Sequence, residues 1–316
     1  MQFRILGPVE VQDEQTGLRI LPTGAKQRAL LGALVVKTGQ NVSVHRLVDE
    51  LWGEHPPSNA ANALQAHVTR LRRLLSGSSA DAPEWIVTRS LGYTLRLDPV
   101  DTDAAHFHRL AERGRRLLRG DPGQAAELLR RALSLWRGPA LEGSVLGDIC
   151  ALEATQLEEH RLGALEAMYE AYLSTGRHGE ITGELNELTA DHPMRERFYH
   201  LLMVAFYRCG RQAEALGVYD RARKRLVHEL GIEPSPALRG LLESILNHDP
   251  ALSPAGTAGV PPAVAPGPRP VPAVAARELV LSDEITRLKH RVEMLQGQHE
   301  QLLRRFQELA LSHRAG

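Results

Sequence analysis

The chain has little that would tie it to an oxidising compartment, a membrane or a catalytic reaction. Its 316 residues include only two cysteines, Cys150 and Cys209. They stand about 60 residues apart without Cys or His neighbours at zinc-ligand spacing, so both are expected as buried thiols. No apolar run approaches the roughly 18 to 20 residues needed to span a bilayer, which argues against a membrane partner. Met1 leads straight into FRILGPVEV without the basic-then-apolar pattern of a secretory leader, so a cytoplasmic location is expected. Neither charge sign dominates: Lys+Arg and Asp+Glu both number 38, and any nucleic-acid surface must be a local patch.

Catalytic signatures are missing as well. There is no G-x-x-x-x-G-K-[ST] loop, H-E-x-x-H, C-x-x-C, G-x-G-x-x-G or Ser-His-Asp context. His106 and His108 lie two residues apart and cannot share a helix face, so no metal pair is expected there. The acids of GELNELTADH read as a solvated helix face. The chain is expected to be no enzyme and to need no cofactor.

What is present divides the chain. Residues 1–98 begin and end with strand-like stretches, FRILGPVEV and LRIL, then WIVTRSLGYTLRL around a Ser90–Gly92 turn. Between them lie helical patterns at Lys26–Lys37, Ser43–Trp52 and Ser58–Leu75, separated by TGQN and GEHPP. Strands, three helices and a hairpin are the order of a winged helix-turn-helix. Residues 101–249 read as helix throughout. Two of their breaks, Gly176-Arg177-x-x-Glu180 and Gly210-Arg211-x-x-Glu214, are 34 residues apart, the period of a tetratricopeptide helix pair. The expected fold is therefore mainly α, with an α+β N-terminal part.

Residues 250–276 are rich in Pro, Ala and Gly and read as a linker. Across residues 278–312, Leu281, Leu288, Leu295, Leu302 and Leu309 recur every seventh position, with Ile285, Val292, His299 and Phe306 between them. That is a leucine-zipper heptad with Leu at d, and β-branched a positions favour a parallel dimer. Glu284 facing Lys289 of a second helix would add an attractive pair. A different helical partner, or packing onto the same chain, remains open for this segment.

The third helical pattern carries the chemistry. In SNAANALQAHVTRLRRLL, Leu64, Val68, Leu71 and Leu75 fall on one stripe, and Asn59, Asn62, Thr69, Arg70 and Arg73 fall opposite. That polar side holds no carboxylate, which suits an anionic partner. Arg pairs bidentately with guanine and Asn with adenine, each worth about 1–3 kcal/mol of discrimination. Lys26, Arg28, Arg72 and the hairpin residue Arg89 are expected on phosphates, and Tyr93 of the hairpin joins the DNA-facing set.

With these residues in view, GAKQRALLGALVVKTGQNVSVHRLVDELWGEHPPSNAANALQAHVTRLRRLL, TRSLGYTL, LSLWRG and the run from DHPMRERFYHLL to LLESIL resemble the SARP family, the Streptomyces antibiotic regulatory proteins. The resemblance covers Met1 to about Asp249. It implies an OmpR-type winged helix joined to a bacterial transcriptional activation domain. It further implies binding to direct repeats near the −35 region of a promoter, recruitment of RNA polymerase holoenzyme, and control of an antibiotic biosynthetic cluster. The zipper-like tail departs from the small members, and the missing phosphate loop departs from the large ones. The competing reading is a tetratricopeptide-type scaffold or ligand-sensing interaction protein without specific DNA binding.

Overall fold

A computed structural model describes residues 1–13, 16–76, 84–97 and 102–252. All of these lie in one compact unit, Met1–Ala258. The heptad positions from Leu281 to Leu309, and the linker beyond Leu252, lie outside the described residues.

Three short strands open the chain: β1 (Gln2–Arg4), β2 (Glu10–Gln12) and β3 (Arg19–Ile20), antiparallel in that order, with Phe3 opposite Val11 and Val11 opposite Ile20. Next come α1 (Ala25–Val36), β4 (Val42–Ser43), α2 (Val44–Trp52), α3 (Ala60–Ser76), β5 (Ile86–Arg89) and β6 (Gly92–Leu95). The second sheet has the order β4-β6-β5. Its strand β4 takes Val42, just after the TGQN loop, and Ser43, which reads as the first residue of the second helical pattern; two residues are too few to show a period. Gly92 makes this pairing possible: a Cβ there would sit 2.0 Å from the Val42 carbonyl oxygen.

The helical half comprises α4 (Asp103–Leu117), α5 (Pro122–Leu133), α6 (Asp148–Ser174), α7 (Thr182–Asp191), α8 (Glu196–Arg208), α9 (Gln212–Leu230) and α10 (Pro236–Leu246). Several helix starts are written locally. The side chains of Ser43, Thr102, Asp121 and Ser235 accept the amide protons of Arg46, Ala105, Gln124 and Leu238, and proline follows two of these caps.

The two Gly-Arg-x-x-Glu breaks are the same turn built twice. Gly176 and Gly210 have φ of 77° and 75°, a left-handed conformation that glycine adopts without a Cβ clash. The Arg177 and Arg211 amides donate to Tyr172 and Phe206 carbonyls, both at 2.9 Å. Each guanidinium then grips its Glu, Glu180 or Glu214, and stacks on the aromatic ring of the residue whose backbone carbonyl accepts the amide. Arg208 closes the end of the described chain by donating to the carbonyls of Leu173 and Leu252.

The two halves are welded along the N-terminal strands. Residues 137–142, which read as a break between helices, run beside residues 5–8. The amides of Arg137, Leu141 and Glu142 donate to the carbonyls of Leu6, Ile5 and Gly7 at 2.8–3.0 Å. The Asp103 carboxylate, 1% exposed, accepts the Ile5 and Leu6 amides at 2.8 and 3.1 Å and pairs with Arg137. Burial raises its pKa, against the pull of those amides and Arg137. Glu10, also buried, holds both Arg4 and Arg137 at 3.0 Å. Buried charges of this kind are tolerated only when paired and hydrogen-bonded, as they are here.

A second weld joins α2 to α6, where Glu50 faces the helix N-terminus. Gly147 is the N-cap of α6, and a Cβ on it would lie 2.6 Å from the Glu50 backbone. Cys150 is fully buried beneath, and burial beside Glu50 pushes its thiol pKa up. Cys209 departs from expectation: it is half-buried at the end of α8, although both thiols are free.

Candidate nucleic-acid interface

The interface begins with a helix divided lengthwise. Leu64, Val68, Leu71 and Leu75 are at most 1% exposed in the core shared with α1 and α2. Each such leucine contributes roughly 1.5–3 kcal/mol by leaving water, enough to fix the rotation of α3 about its axis. The opposite positions Asn59, Asn62, Gln65, Ala66, Thr69, Arg70 and Arg73 are all exposed. The first turn has no acidic residue, so the partial positive charge of the helix start is uncompensated there.

The expected contact residues do not all have the same duty. Arg70 and Arg73 project outward with no described partner for either guanidinium. The Thr69 hydroxyl donates to the Gln65 carbonyl at 2.9 Å, leaving its methyl group and oxygen lone pairs for a neighbour. Lys26, in the first turn of α1, places its ammonium 4.8 Å from the centroid of Trp52, whose ring lies 6.0 Å from that of His67. Burial, then Arg70 and Lys26, lower the His67 pKa, so three basic side chains gather there with the histidine neutral. Arg89 is exposed at the end of β5.

Three expectations need correction. Arg72 turns sideways: its Nε donates to the Ile86 carbonyl at 2.9 Å and its Nη2 to Thr88 Oγ1 at 2.8 Å, with Glu84 at 3.7 Å. It ties α3 to the hairpin. Arg28 is likewise engaged, donating to the carbonyls of Gly143 and Pro22 at 2.7 and 3.1 Å. Tyr93 is only 8% exposed, because β6 is the middle strand of its sheet and has neighbours on both edges.

Sequence reasoning also missed a group. Val44, at the start of α2, donates to the carbonyl of Leu91 at 3.1 Å, and Leu91 is 73% exposed at the hairpin turn. Exposed Arg46 therefore stands two residues along α2 from the contact with the hairpin that carries Arg89. The short β4 pairing and the Val44–Leu91 hydrogen bond bring these two segments together, and a two-residue strand leaves no periodic trace.

Comparison with known proteins agrees with this architecture. A family described as "Transcriptional regulatory protein, C terminal" matches residues 19–95, and one described as "Bacterial transcriptional activator domain" matches residues 102–246. Transcriptional regulator RedD of Streptomyces coelicolor is 43% identical over 254 residues, 80% of this chain and 72% of that protein. Regulatory protein DnrI of Streptomyces peucetius is 41% identical over 258 residues, 80% of this chain and 94% of that one. A solved structure of Mycobacterium tuberculosis EmbR in complex with a low affinity phosphopeptide superposes with a TM-score of 0.72 at 32% identity, covering 91% of this chain and 70% of that chain. Winged helix, helical half and relatives converge: the chain belongs to the SARP family, the Streptomyces antibiotic regulatory proteins, and is a DNA-binding transcriptional activator.

Proposed function

We propose that α3 lies in the major groove of promoter DNA, with Arg70, Arg73, Asn59, Asn62 and Thr69 divided between base edges and adjacent phosphates. One observation carries this reading: the exposed side of α3 is free of carboxylates along its whole length, while its apolar side is locked into the core. Lys26 and Arg89 serve as phosphate contacts, joined by Arg46. Arg28 and Arg72 hold the scaffold that aims the helix. The helical half recruits RNA polymerase holoenzyme to an antibiotic biosynthetic cluster through direct repeats near the −35 region. The heptad segment, outside the described residues, pairs two copies and raises the effective concentration of the second reading head.

Fluorescence anisotropy with the operator and with random duplex tests the groove assignment. Affinity for both should fall steeply with salt, since counterions are released from the phosphates. Replacing Arg70 or Arg73 by alanine should weaken operator binding by about 1–3 kcal/mol and leave random-duplex binding less affected. Equal loss on both duplexes, or none on either, overturns it.

A further inference from the structure

We propose that the groove between α7 and α9 is a docking site for an extended acidic segment of a partner protein. It lies in the helical half and is independent of how α3 meets DNA. One part is a cavity of about 490 Å³ with Arg221, Lys224, Arg225 and His228 along its α9 side. Residues at i, i+3, i+4 and i+7 share a helix face, so the four basic side chains point the same way. No carboxylate lines this cavity. Opposite them are the neutral hydrogen-bonding groups of Asn186, Thr189 and Tyr199.

The charges are only lightly compensated. Arg221 donates to Asn186 Oδ1 at 3.1 Å, a neutral partner. Glu229, on the neighbouring turn, reaches Arg225 at 3.8 Å and His228 at 3.5 Å, both long contacts. No described carboxylate pairs with Lys224. The Tyr199 hydroxyl donates to the Thr189 carbonyl at 3.1 Å, which fixes the ring beneath the cations.

The groove is long as well as basic. A second cavity of about 510 Å³ shares Asn186 and Arg221 with the first and continues to Arg211 and Glu214. Those two form an ion pair, so this end is electrically neutral, with Phe206 in its lining. Gly183 and Gly217 both line it without side chains, and a Cβ on either would meet nothing within 4 Å. From Arg211 to His228 the helix rises about 26 Å. An extended chain of about eight residues covers that length, whereas a small anion would fill one cavity. The matching ligand has carboxylates at one end and an apolar side chain toward Phe206 at the other.

The test uses the full chain and a fluorescein-labelled octapeptide holding four glutamates and one phenylalanine. Binding should weaken at least about tenfold in K224E/R225E and stay within about twofold of the parent in K224R/R225K, because charge rather than shape is read. K224Q/R225Q should fall between them. Melting temperature should be unchanged in all three, since both side chains are exposed. Equal binding of a peptide with glutamine in place of glutamate overturns the proposal. So does displacement of the peptide by inorganic phosphate below the peptide's own working concentration, which would mark a small-anion site. Displacement by duplex DNA that persists in R70A/R73A would mark a nucleic-acid surface instead and equally overturn it.

Discussion

Glu50 on α2 completes the first turn of α6: its carboxylate accepts the amide protons of Ile149 at 2.7 Å and Cys150 at 3.0 Å. A helix N-terminus leaves such donors without intrahelical partners, and its partial positive charge favours a carboxylate. Here the cap comes from 99 residues away in the chain. The helix that precedes α3 is thereby fastened to α6, the longest described helix of the activation half.

Removing that cap should be costly. Glu50→Ala strips two buried amides of their acceptor, and the cost is expected at about 2–4 kcal/mol. Glu50→Gln keeps one acceptor oxygen and should lose less. Urea denaturation of the two variants against the parent measures both.

Neighbouring arginines on α3 should behave in opposite ways. Arg73→Ala should lower operator affinity and leave the melting temperature unchanged. Arg72→Ala should lower the melting temperature, since it releases the Ile86 carbonyl and Thr88 from α3, at a cost of about 1–2 kcal/mol. Calorimetry and operator titration on the same two proteins separate the roles.

Acid should destabilise the helical half through His200. Burial, and secondarily Arg197, lower its pKa from 6.5 to about 4. The unfolded chain then takes up this proton near pH 6.5 while the folded chain stays neutral until about pH 4. Stability contributed by the neutral ring is whole above pH 6.5 and is lost as pH falls through that window, up to about 3 kcal/mol. His200→Gln should flatten the decline in a pH series of denaturation midpoints.

The tail predicts an assembly state. Sedimentation of the full chain should give twice the monomer mass, and a chain ending at Leu252 should sediment as a monomer. Equal masses would remove the pairing role of Leu288, Val292, Leu295 and their heptad partners.

Helix α3 was legible because its period separates Leu64, Val68, Leu71 and Leu75 from Arg70 and Arg73 with no help from the rest of the chain. The repeated turn was legible for the same reason: Gly176 and Gly210 carry their whole requirement locally. Arg28 and Arg72 were not, since a guanidinium reaches whatever carbonyl the fold brings near. Gly143 lies 115 residues from Arg28. Tyr93 was misread because a hairpin strand looks half-exposed until β4 covers its other edge. The seam at residues 137–142 looked like a connector because its amides are satisfied by another segment, which leaves no pattern in its own residues.

That seam limits how the molecule can be taken apart. A fragment ending at Leu97 would strand the Ile5 and Leu6 amides without Asp103 and strip the Ile5, Leu6 and Gly7 carbonyls of their donors. The N-terminal part should therefore be less stable alone than within the full chain, because part of the hydrogen bonding just past its first strand is supplied by the helical half.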